Sequence, residues 1–245
     1  MSTSVPGNGL VYFIGGGPGA PDLLTLRAAR AIAASDVVIW GRPFLMDEVA
    51  TDHARPDAEL LPWPPATMAE ILAAYDRARS EGLVVARLYS GDPTLFGKLR
   101  EEIRELEARG VSYEIVPGVS ALGAAGAAIG QELTAPEGPR ALIIAGHRKE
   151  ESRHPSDGLE RLAAHGANMV IFMADSRPEE LQRELLAGGY TSDTPCAVVH
   201  RATWPDELVV RCQLGELGKR MTERDLERLT LVVVGRGVSE SAGGR

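Results

Sequence analysis

The chain contains 245 residues, of which 44% are hydrophobic and 24% charged, and its formal net charge at pH 7 is −8. This length suits one large domain or two small ones with a packed core, and the composition excludes a disordered chain. Acidic and basic residues are interspersed, so the basic stripe typical of nucleic-acid binding is absent. No stretch approaches ~20 consecutive apolar residues, and residues 1–9 lack the basic start of a signal peptide. We therefore expect a cytoplasmic protein without a membrane anchor.

Apolar runs of strand length alternate with segments of helical period, which predicts an α/β fold. The run Leu10–Ile14 is typical of a buried parallel strand and leads into the glycine loop Gly15–Gly19. Thr25 is placed to cap the following helix, and a second strand is predicted at Asp36–Trp40. These segments form one βαβ unit.

The first half of the chain continues this alternation. Thr67 and Glu70 form a capping-box pattern, and Gly82 stands where a left-handed helix C-cap is expected. A later helix is predicted to end at Gly110. The other strands predicted here are Val84–Tyr89 and Tyr113–Val116. The first half is thus expected to contain a mainly parallel sheet of four strands.

Turn-forming residues at Thr134–Pro139 indicate a linker after a small-residue helix at Ser120–Ile129. Residues 9–133 are therefore predicted to form a first α/β domain, and residues 139–238 a second. Ser176 and Glu179 offer a second capping box. Short connections between the later strands predict a mixed second sheet. Its strands are predicted at Ala141–Ile144, Asn168–Met173, Pro195–His200, Glu207–Cys212 and Thr230–Val234.

The glycine loop allows two interpretations from its residues alone. Gly15–Ala20 satisfies the GxGxxA pattern of dinucleotide sites, which would indicate a nicotinamide-dependent oxidoreductase. However, Gly41 and Arg42 follow the second strand where an acid should bind the ribose, and Pro18 has no N–H for a pyrophosphate. A structural tight turn is the other interpretation.

Two further turns follow predicted strands in the same way. In Ser90–Pro93, Asp92 could bind a ligand or, more commonly, cap the next helix. Gly118 precedes Ser120, which could cap the small-residue helix or contact the same ligand. Open α/β sheets bind ligands at the carboxyl ends of their strands, so we expect all three turns to converge on one sheet edge.

The segment Ala202–Glu207 joins two strand-like runs and contains Trp204 and Pro205, which make it too stiff for an ordinary hairpin turn. A loop shaped around a ligand and a tryptophan packed on the core are both compatible with it. The five histidines and the cysteines Cys196 and Cys212 lack ligand or disulfide spacing. We therefore predict neither a metal site nor a disulfide.

Four segments together resemble the tetrapyrrole (corrin and porphyrin) methylases in order and spacing. They are Val11–Thr25, Ser90–Pro93 with Phe96 and Gly97, Glu114–Ser120, and Ala202–Glu207. Within that family, Arg201–Glu207 and Glu132–Thr134 look most like the branch that methylates precorrin-4 at C11 in cobalamin biosynthesis. The resemblance implies two α/β domains with a ligand cleft between them, S-adenosylmethionine as the methyl donor, a tetrapyrrole acceptor and a homodimer.

The resemblance also implies site residues, position by position. The implied donor contacts are Pro18, Ser90, Gly91, Asp92, Leu95, Ser120, Ala121, Met173, Ala202, Thr230 and Leu231. For a polyanionic acceptor the candidates are Gly17 and the cationic side chains Arg42, Arg148 and Arg201. No catalytic residue is singled out, because transfer from a sulfonium needs alignment and exclusion of water rather than a covalent nucleophile.

One segment departs from the family pattern. Relatives acting on precorrin-4 carry a Thr-Arg pair after the first strand of the second domain and an Arg-Thr-Pro further on, whereas this chain has Ala145-Gly146-His147-Arg148 and no Arg-Thr-Pro. A methyltransferase of the same fold acting on another small molecule is therefore an alternative. A binding protein without catalytic activity is another.

Overall fold

The computed structural model describes residues 9–134, 139–147, 158–174, 177–224, 226 and 228–238. These residues form two compact units that meet in sequence between Ala121 and Leu122, and each unit contains one five-stranded sheet. Arg148 and the predicted cap Ser176 lie outside the described residues. Within the described part, no helix combines the length and the apolar character needed to cross a bilayer.

The first unit contains a fully parallel sheet. Its strands are β1 (Leu10–Gly15), β2 (Val37–Gly41), β3 (Glu59–Trp63), β4 (Val84–Tyr89) and β5 (Ser112–Val116). They lie in the order β3-β2-β4-β1-β5, and every neighbouring pair is parallel. The carboxyl ends of β4, β1 and β5 are therefore adjacent. The helices of this unit are α1 (Leu26–Ala33), α2 (Asp47–Thr51), α3 (Met68–Glu81) and α4 (Leu99–Arg109), and α5 (Ala121–Ala128) begins at its last residue.

Local signals place these helices as predicted. The Thr25 hydroxyl accepts a hydrogen bond from the Ala28 amide at 3.1 Å. Both halves of the Thr67 and Glu70 capping box form. Gly82 ends α3 in the left-handed region with a φ of 72°. Gly110 ends α4 in the same way.

The strand β3 and the short helix α2 were not predicted. β3 lies at the edge of the sheet and pairs only with β2, so one of its sides needs no hydrogen-bond partner. In the sequence, Pro62 argues against a strand, because proline cannot donate a backbone hydrogen bond. An edge strand tolerates it. The first sheet therefore has five strands rather than four.

Apolar side chains cover both faces of the first sheet. Phe13 of β1 packs with Ile71, Tyr75 and Leu106 on the face covered by α3 and α4. Residues packed on the opposite face, covered by α1 and α2, include Ile14, Ile32, Trp40, Val49 and Leu88. Burial on both faces explains why β1 and β2 are continuous apolar runs.

The second unit contains a mixed sheet, as predicted. Its strands are β6 (Leu142–Gly146), β7 (Asn168–Phe172), β8 (Pro195–His200), β9 (Leu208–Gln213) and β10 (Thr230–Val234). They lie in the order β6-β7-β10-β8-β9, with β6 and β7 parallel and the other pairs antiparallel. The helices are α6 (Leu159–Ala163), α7 (Pro178–Ala187) and α8 (Leu217–Thr222). A core that includes Ile171, Leu181, Leu217 and Val232 joins sheet and helices.

Residues 122–133 were predicted to belong to the first domain but group with the second unit. The Ile129 carbonyl accepts a hydrogen bond from Arg211 Nη2 at 2.6 Å. The Leu133 carbonyl accepts one from Asn168 Nδ2 at 3.0 Å. These contacts attach the segment to β9 and β7. Domain ranges of 9–133 and 139–238 remain a prediction about which parts of the chain fold independently.

Candidate functional site

The turns after β1 and β4 are joined through their backbones. The Gly16 amide donates to the Tyr89 carbonyl at 2.7 Å. Gly17 and Gly91 exchange two hydrogen bonds, with N···O distances of 3.2 and 2.7 Å. Both adopt positive φ angles, 80° and 67°, which glycine reaches without strain. The predicted glycine loop is thus fixed to Gly91 by its main chain.

The turn after β5 packs against the same two turns without side chains between them. A Cβ added to Gly118 would lie 2.2 Å from the Gly91 carbonyl oxygen, and one added to Gly15 would lie 2.4 Å from the Gly118 Cα. A Cβ on Gly91 would lie 3.5 Å from the Ala121 amide nitrogen, which places Ser120 and Ala121 beside Gly91. The predicted convergence of the three turns on one sheet edge is confirmed.

Asp92 holds this edge together rather than capping α4, which begins only at Leu99. One carboxylate oxygen accepts hydrogen bonds from the amide, at 2.8 Å, and the hydroxyl of Thr94. The other accepts from the Gly118 amide at 2.9 Å. Burial opposes ionisation of Asp92, but the hydrogen bonds from Thr94 and Gly118 outweigh it and hold the pKa below its usual value. Asp92 is therefore a carboxylate at neutral pH.

This edge is unsuited to a pyrophosphate. A phosphate cradle needs backbone N–H groups that point at the ligand. Here the amides of Gly16 and Gly17 are bonded to β4 and its turn, and Pro18 has none. The negative charge of Asp92 also favours a cationic ligand over an anionic one. The geometry fits a sulfonium compound such as S-adenosylmethionine and opposes the dinucleotide interpretation.

The other predicted residues of the first unit are placed as follows. Pro18 is buried, while Ser90, Leu95, Ser120 and Ala121 are half-buried. Leu95 follows the Asp92 turn, and its amide donates to the Asp92 carbonyl at 3.2 Å. Arg42 follows β2, and its Nη2 lies 3.1 Å from an oxygen of Asp47, so its charge is balanced locally.

The corresponding edge of the second sheet is built from strained backbone. Carboxyl ends of β7 and β8 lie there beside the start of the antiparallel strand β10. The Ala174 amide donates to the Thr230 carbonyl at 3.3 Å, and the Arg201 amide donates to the Leu229 carbonyl at 3.0 Å. Non-glycine residues with positive φ at this edge are Met173 (55°), Arg201 (50°), Thr203 (69°), Arg228 (54°) and Leu229 (47°).

Such left-handed residues cost on the order of 1–3 kcal/mol each and occur mainly at ligand sites. Their gathering at one edge makes that edge a candidate ligand site. The predicted donor contacts of this unit, Met173, Ala202, Thr230 and Leu231, all lie on it. Met173 is half-buried, but Ala202, Thr230 and Leu231 are only 3%, 1% and 4% exposed. The left-handed residues were missed from sequence, because no side chain among them favours that conformation.

The loop between β8 and β9 holds Arg201 in a fixed position. The guanidinium carbon lies 4.1 Å from the centre of the Trp204 ring, and Nη1 lies 2.9 Å from an oxygen of Asp206. The Thr203 amide donates to a carboxylate oxygen of Glu207 at 2.7 Å. Trp204 is half-buried and supports Arg201, which favours the interpretation of a shaped loop over that of a core tryptophan.

Two histidines at this edge have partners that their spacing in sequence does not reveal. His147 follows β6, is buried, and its Nε2 lies 3.9 Å from an oxygen of Glu184 on α7. Glu180, one turn earlier on α7, is bound by Arg177 at 2.6 Å, which supplies positive charge to this acidic pair. His200 Nδ1 lies 2.9 Å from the Thr230 hydroxyl, which itself donates to the Arg228 carbonyl at 2.9 Å.

Similar proteins point to the same chemistry. The family "Tetrapyrrole (Corrin/Porphyrin) Methylases" matches residues 10–218. A cobalt-precorrin-4 C(11)-methyltransferase of Methanocaldococcus jannaschii is 36% identical over 231 residues, 93% of this chain and 88% of the relative. A precorrin-4 C(11)-methyltransferase of Mycobacterium tuberculosis is 37% identical over 226 residues, 92% of this chain and 90% of the relative.

Solved structures agree with these relatives. The cobalt precorrin-4 methyltransferase CbiF is 30% identical, with a TM-score of 0.87 over 94% of this chain and 96% of its own. A uroporphyrin-III C-methyltransferase from Thermus thermophilus, solved with S-adenosylhomocysteine, is 30% identical, with a TM-score of 0.75 over 94% of this chain and 99% of its own. These likenesses leave the oxidoreductase interpretation without support. The chain belongs to the tetrapyrrole methylases and is an S-adenosylmethionine-dependent methyltransferase.

Proposed function

We propose that this enzyme methylates C11 of precorrin-4, or of its cobalt complex, in cobalamin biosynthesis. Relatives with that activity in their names match over 92% or more of the chain, which supports the choice of acceptor. The proposed donor site is supported mainly by the sheet edge formed by the three glycine turns and ionised Asp92. This edge presents backbone and negative charge to a ligand, whereas a phosphate cradle would present free N–H groups.

The donor contacts are proposed position by position from the family resemblance. When bound, S-adenosylmethionine supplies an electrophilic methyl group on a positively charged sulfur. The chain has to orient its ligands for in-line transfer and keep water out, and rigid backbone edges suit both tasks. The proposed donor contacts are Pro18, Ser90, Gly91, Asp92, Leu95, Ser120, Ala121, Met173, Ala202, Thr230 and Leu231.

The acceptor is proposed to contact Gly17, Arg42, Arg148 and Arg201. Tetrapyrrole precursors carry carboxylates, and a guanidinium binds a carboxylate through two parallel hydrogen bonds. Trp204 and Asp206 fix the plane of the Arg201 guanidinium. Pre-positioning lowers the entropy lost when the carboxylate binds.

A methyltransferase acting on a different small tetrapyrrole is the second candidate. The buried His147 favours it, because relatives that act on precorrin-4 have a Thr-Arg pair at the end of this strand. We also infer a homodimer, which the family resemblance supports, and a cytoplasmic enzyme without a nucleic-acid partner, which the interspersed charges and the absence of a signal-peptide pattern support. Light scattering of the purified enzyme tests the oligomeric state, since a mass of one chain contradicts the dimer.

The direct test is a reconstituted reaction with S-adenosylmethionine and enzymatically prepared precorrin-4, with and without cobalt. A product heavier by one methyl group, located at C11 by NMR, is the expected result. Calorimetry should show one S-adenosylhomocysteine site per chain and no binding of nicotinamide cofactors. Methylation of another tetrapyrrole in place of precorrin-4 contradicts the proposed acceptor and favours the second candidate.

The role of Arg201 is tested by Arg201→Lys, which keeps the charge but removes the planar fork. We expect the KM for the acceptor to rise about tenfold while the affinity for S-adenosylhomocysteine stays the same. Arg220→Lys is the matched control, because Arg220 of α8 forms an exposed pair with Glu216, just before that helix. Equal acceptor KM values for the two variants contradict the role of Arg201.

A further inference from the structure

A buried ion pair connects β4 to α4 in the first unit. Arg87 donates from Nε and Nη2 to the two oxygens of Glu102, at 3.0 and 2.9 Å. The two side chains are only 11% and 10% exposed. The Tyr75 hydroxyl donates to the same carboxylate at 2.6 Å. Arg87, Glu102 and Tyr75 therefore form a buried polar cluster among the apolar contacts of α3 and α4, and the Tyr89 hydroxyl interacts electrostatically with its charged pair.

Stability alone does not account for such a cluster. Removing two charges from water is costly, and replacing a buried pair with apolar residues of similar volume is often neutral or stabilising. Burial opposes ionisation of Glu102, but the hydrogen bonds and positive charge of Arg87 outweigh it and hold the pKa of Glu102 below its usual value. The pair is thus charged at neutral pH. Because it adds little net stability, its defined geometry is the property that can serve a function.

The pair brackets the segment Ser90–Lys98, here called the donor loop. Arg87 lies in β4 just before this loop, and Glu102 lies in the first turn of α4 just after it. The proposed donor contacts Ser90, Gly91, Asp92 and Leu95 lie within the donor loop. Two parallel hydrogen bonds between the flanking elements hold its ends at a fixed distance and orientation.

The Tyr89 ring extends this connection to the end of the donor loop. The Arg87 guanidinium carbon lies 5.2 Å from the centre of the ring. A Cβ on Gly97 would lie 3.4 Å from Tyr89 Cδ1, so the ring packs directly against the backbone where the loop ends. Phe13 supports the ring from another side, with ring centres 6.0 Å apart. Arg87 therefore acts on both the start and the end of the donor loop.

We propose that Arg87 and Glu102 are positioning residues that clamp the two ends of the donor loop and so set the arrangement of Gly91 and Asp92 for the methyl donor. This inference rests on the donor site proposed above. The clamp contributes to donor affinity through the loop, without touching the donor. Apolar residues of similar size fill the same space but form no directional hydrogen bonds. They should therefore preserve the fold while leaving the ends of the donor loop less precisely held.

The test compares the wild-type enzyme with the triple variant Arg87→Met, Glu102→Leu, Tyr75→Phe, which removes the ion pair and the Tyr75 hydroxyl bonded to it. We expect its Tm to stay within about 5 °C of the wild type. The Kd of S-adenosylhomocysteine should rise about tenfold or more, since small misplacements of a site are costly. Hydrogen exchange at the Thr94 and Gly118 amides, both bonded to Asp92, should become faster.

Arg77→Met with Glu59→Leu is the control, because it removes another Arg–Glu pair of the same unit, 2.7 Å apart, outside the donor loop. It should change neither S-adenosylhomocysteine affinity nor exchange at Thr94 and Gly118. Arg87→Lys keeps the charge and loses the fork. It should give an intermediate loss of affinity, and it carries the test if the triple variant does not fold.

A folded clamp variant that binds S-adenosylhomocysteine within twofold of the wild type, with unchanged exchange at Thr94 and Gly118, overturns the inference. Failure of the donor site itself looks different, because then the wild-type enzyme does not bind S-adenosylhomocysteine. Exchange at the two amides still reports on the clamp in that case. A Tm loss larger than that of the Arg77 and Glu59 control, with unchanged affinity, likewise assigns the pair to stability alone.

Discussion

The turns at Gly15, Gly91 and Gly118 pack against one another through their backbones and are here called the three-turn crossing. Gly118→Ala tests whether this crossing sets the geometry of the proposed donor site. The new Cβ would lie 2.2 Å from the Gly91 carbonyl oxygen and 2.7 Å from the Gly15 Cα. Because carbon and oxygen do not approach closer than about 3.0 Å, the Gly91 carbonyl has to retreat by about 0.8 Å. All the atoms involved are backbone, so no rotamer change relieves the clash.

Two effects follow from this displacement. Overpacking costs roughly 1–3 kcal/mol, so thermal unfolding should occur roughly 3–10 °C lower than in the wild type. A displacement approaching 1 Å at a positioning element lowers catalysis by about a hundredfold, so kcat/KM for the methyl donor should fall on that scale. Thermal melts monitored by circular dichroism and a radiolabelled methyl-transfer assay measure the two effects separately.

The control is Gly123→Ala in α5, where a Cβ meets no atom within 4 Å. Exchanging glycine for alanine inside a helix stabilises by roughly 0.5–1 kcal/mol, so this variant should melt slightly higher and keep its activity. If Gly118→Ala folds and keeps donor kcat/KM within twofold of the wild type, the crossing does not set the site and the reasoning is refuted.

Three further predictions follow from other residues. Because hydrogen bonds from Thr94 and Gly118 outweigh burial and lower the pKa of Asp92, its contribution to donor affinity should be constant through neutral pH and be lost only as the pH falls through that lowered pKa. Calorimetry should show this loss in the wild type but not in Asp92→Asn, which should bind weakly throughout. A loss already at mildly acidic pH contradicts the prediction. Thr67→Ala removes the capping box of α3 and should lower the free energy of unfolding in urea by about 1 kcal/mol without changing kcat/KM. Thr94→Ala, which removes a hydrogen bond to Asp92 in the donor loop, should lower both the free energy of unfolding and kcat/KM. Burial raises the pKa of Cys212 to about 11, so roughly one thiol in a thousand is ionised at pH 8. Mass spectrometry should therefore find Cys212 of the native enzyme unmodified by iodoacetamide after an hour, and rapid labelling contradicts the raised pKa.

Sequence alone predicted the parts of the site that depend on local chemistry. The glycine turns, the caps at Thr25 and Thr67 and the mixed second sheet follow from residue preferences over a few positions. The exchange of hydrogen bonds between Gly17 and Gly91 could not be predicted, because it depends on β1 and β4 becoming neighbours across a long stretch of chain.

Charged residues inside the fold were equally hidden from sequence reading. Arg87 and Glu102 are 15 residues apart, and each alone is read as exposed. The role of Asp92 was wrongly favoured as a helix cap, because the tight Thr94 turn and the Gly118 amide compete for its carboxylate. Long-range pairing decides such cases, and composition does not encode it.

The crossing of Gly15, Gly91 and Gly118 has a consequence for how the enzyme can diverge. The contacts between these turns are made by main-chain atoms, so mutation cannot adjust them gradually. A Cβ on Gly15 or Gly118 would overlap backbone of the neighbouring turns, and a side chain on Gly91 would be strained by its positive φ of 67°. Side chains on the surrounding loops are under no such restriction. A lineage can therefore exchange one acceptor for another through those loops while the proposed donor site keeps its backbone geometry, and a saturation library should tolerate changes at Thr203 far more often than at the three glycines.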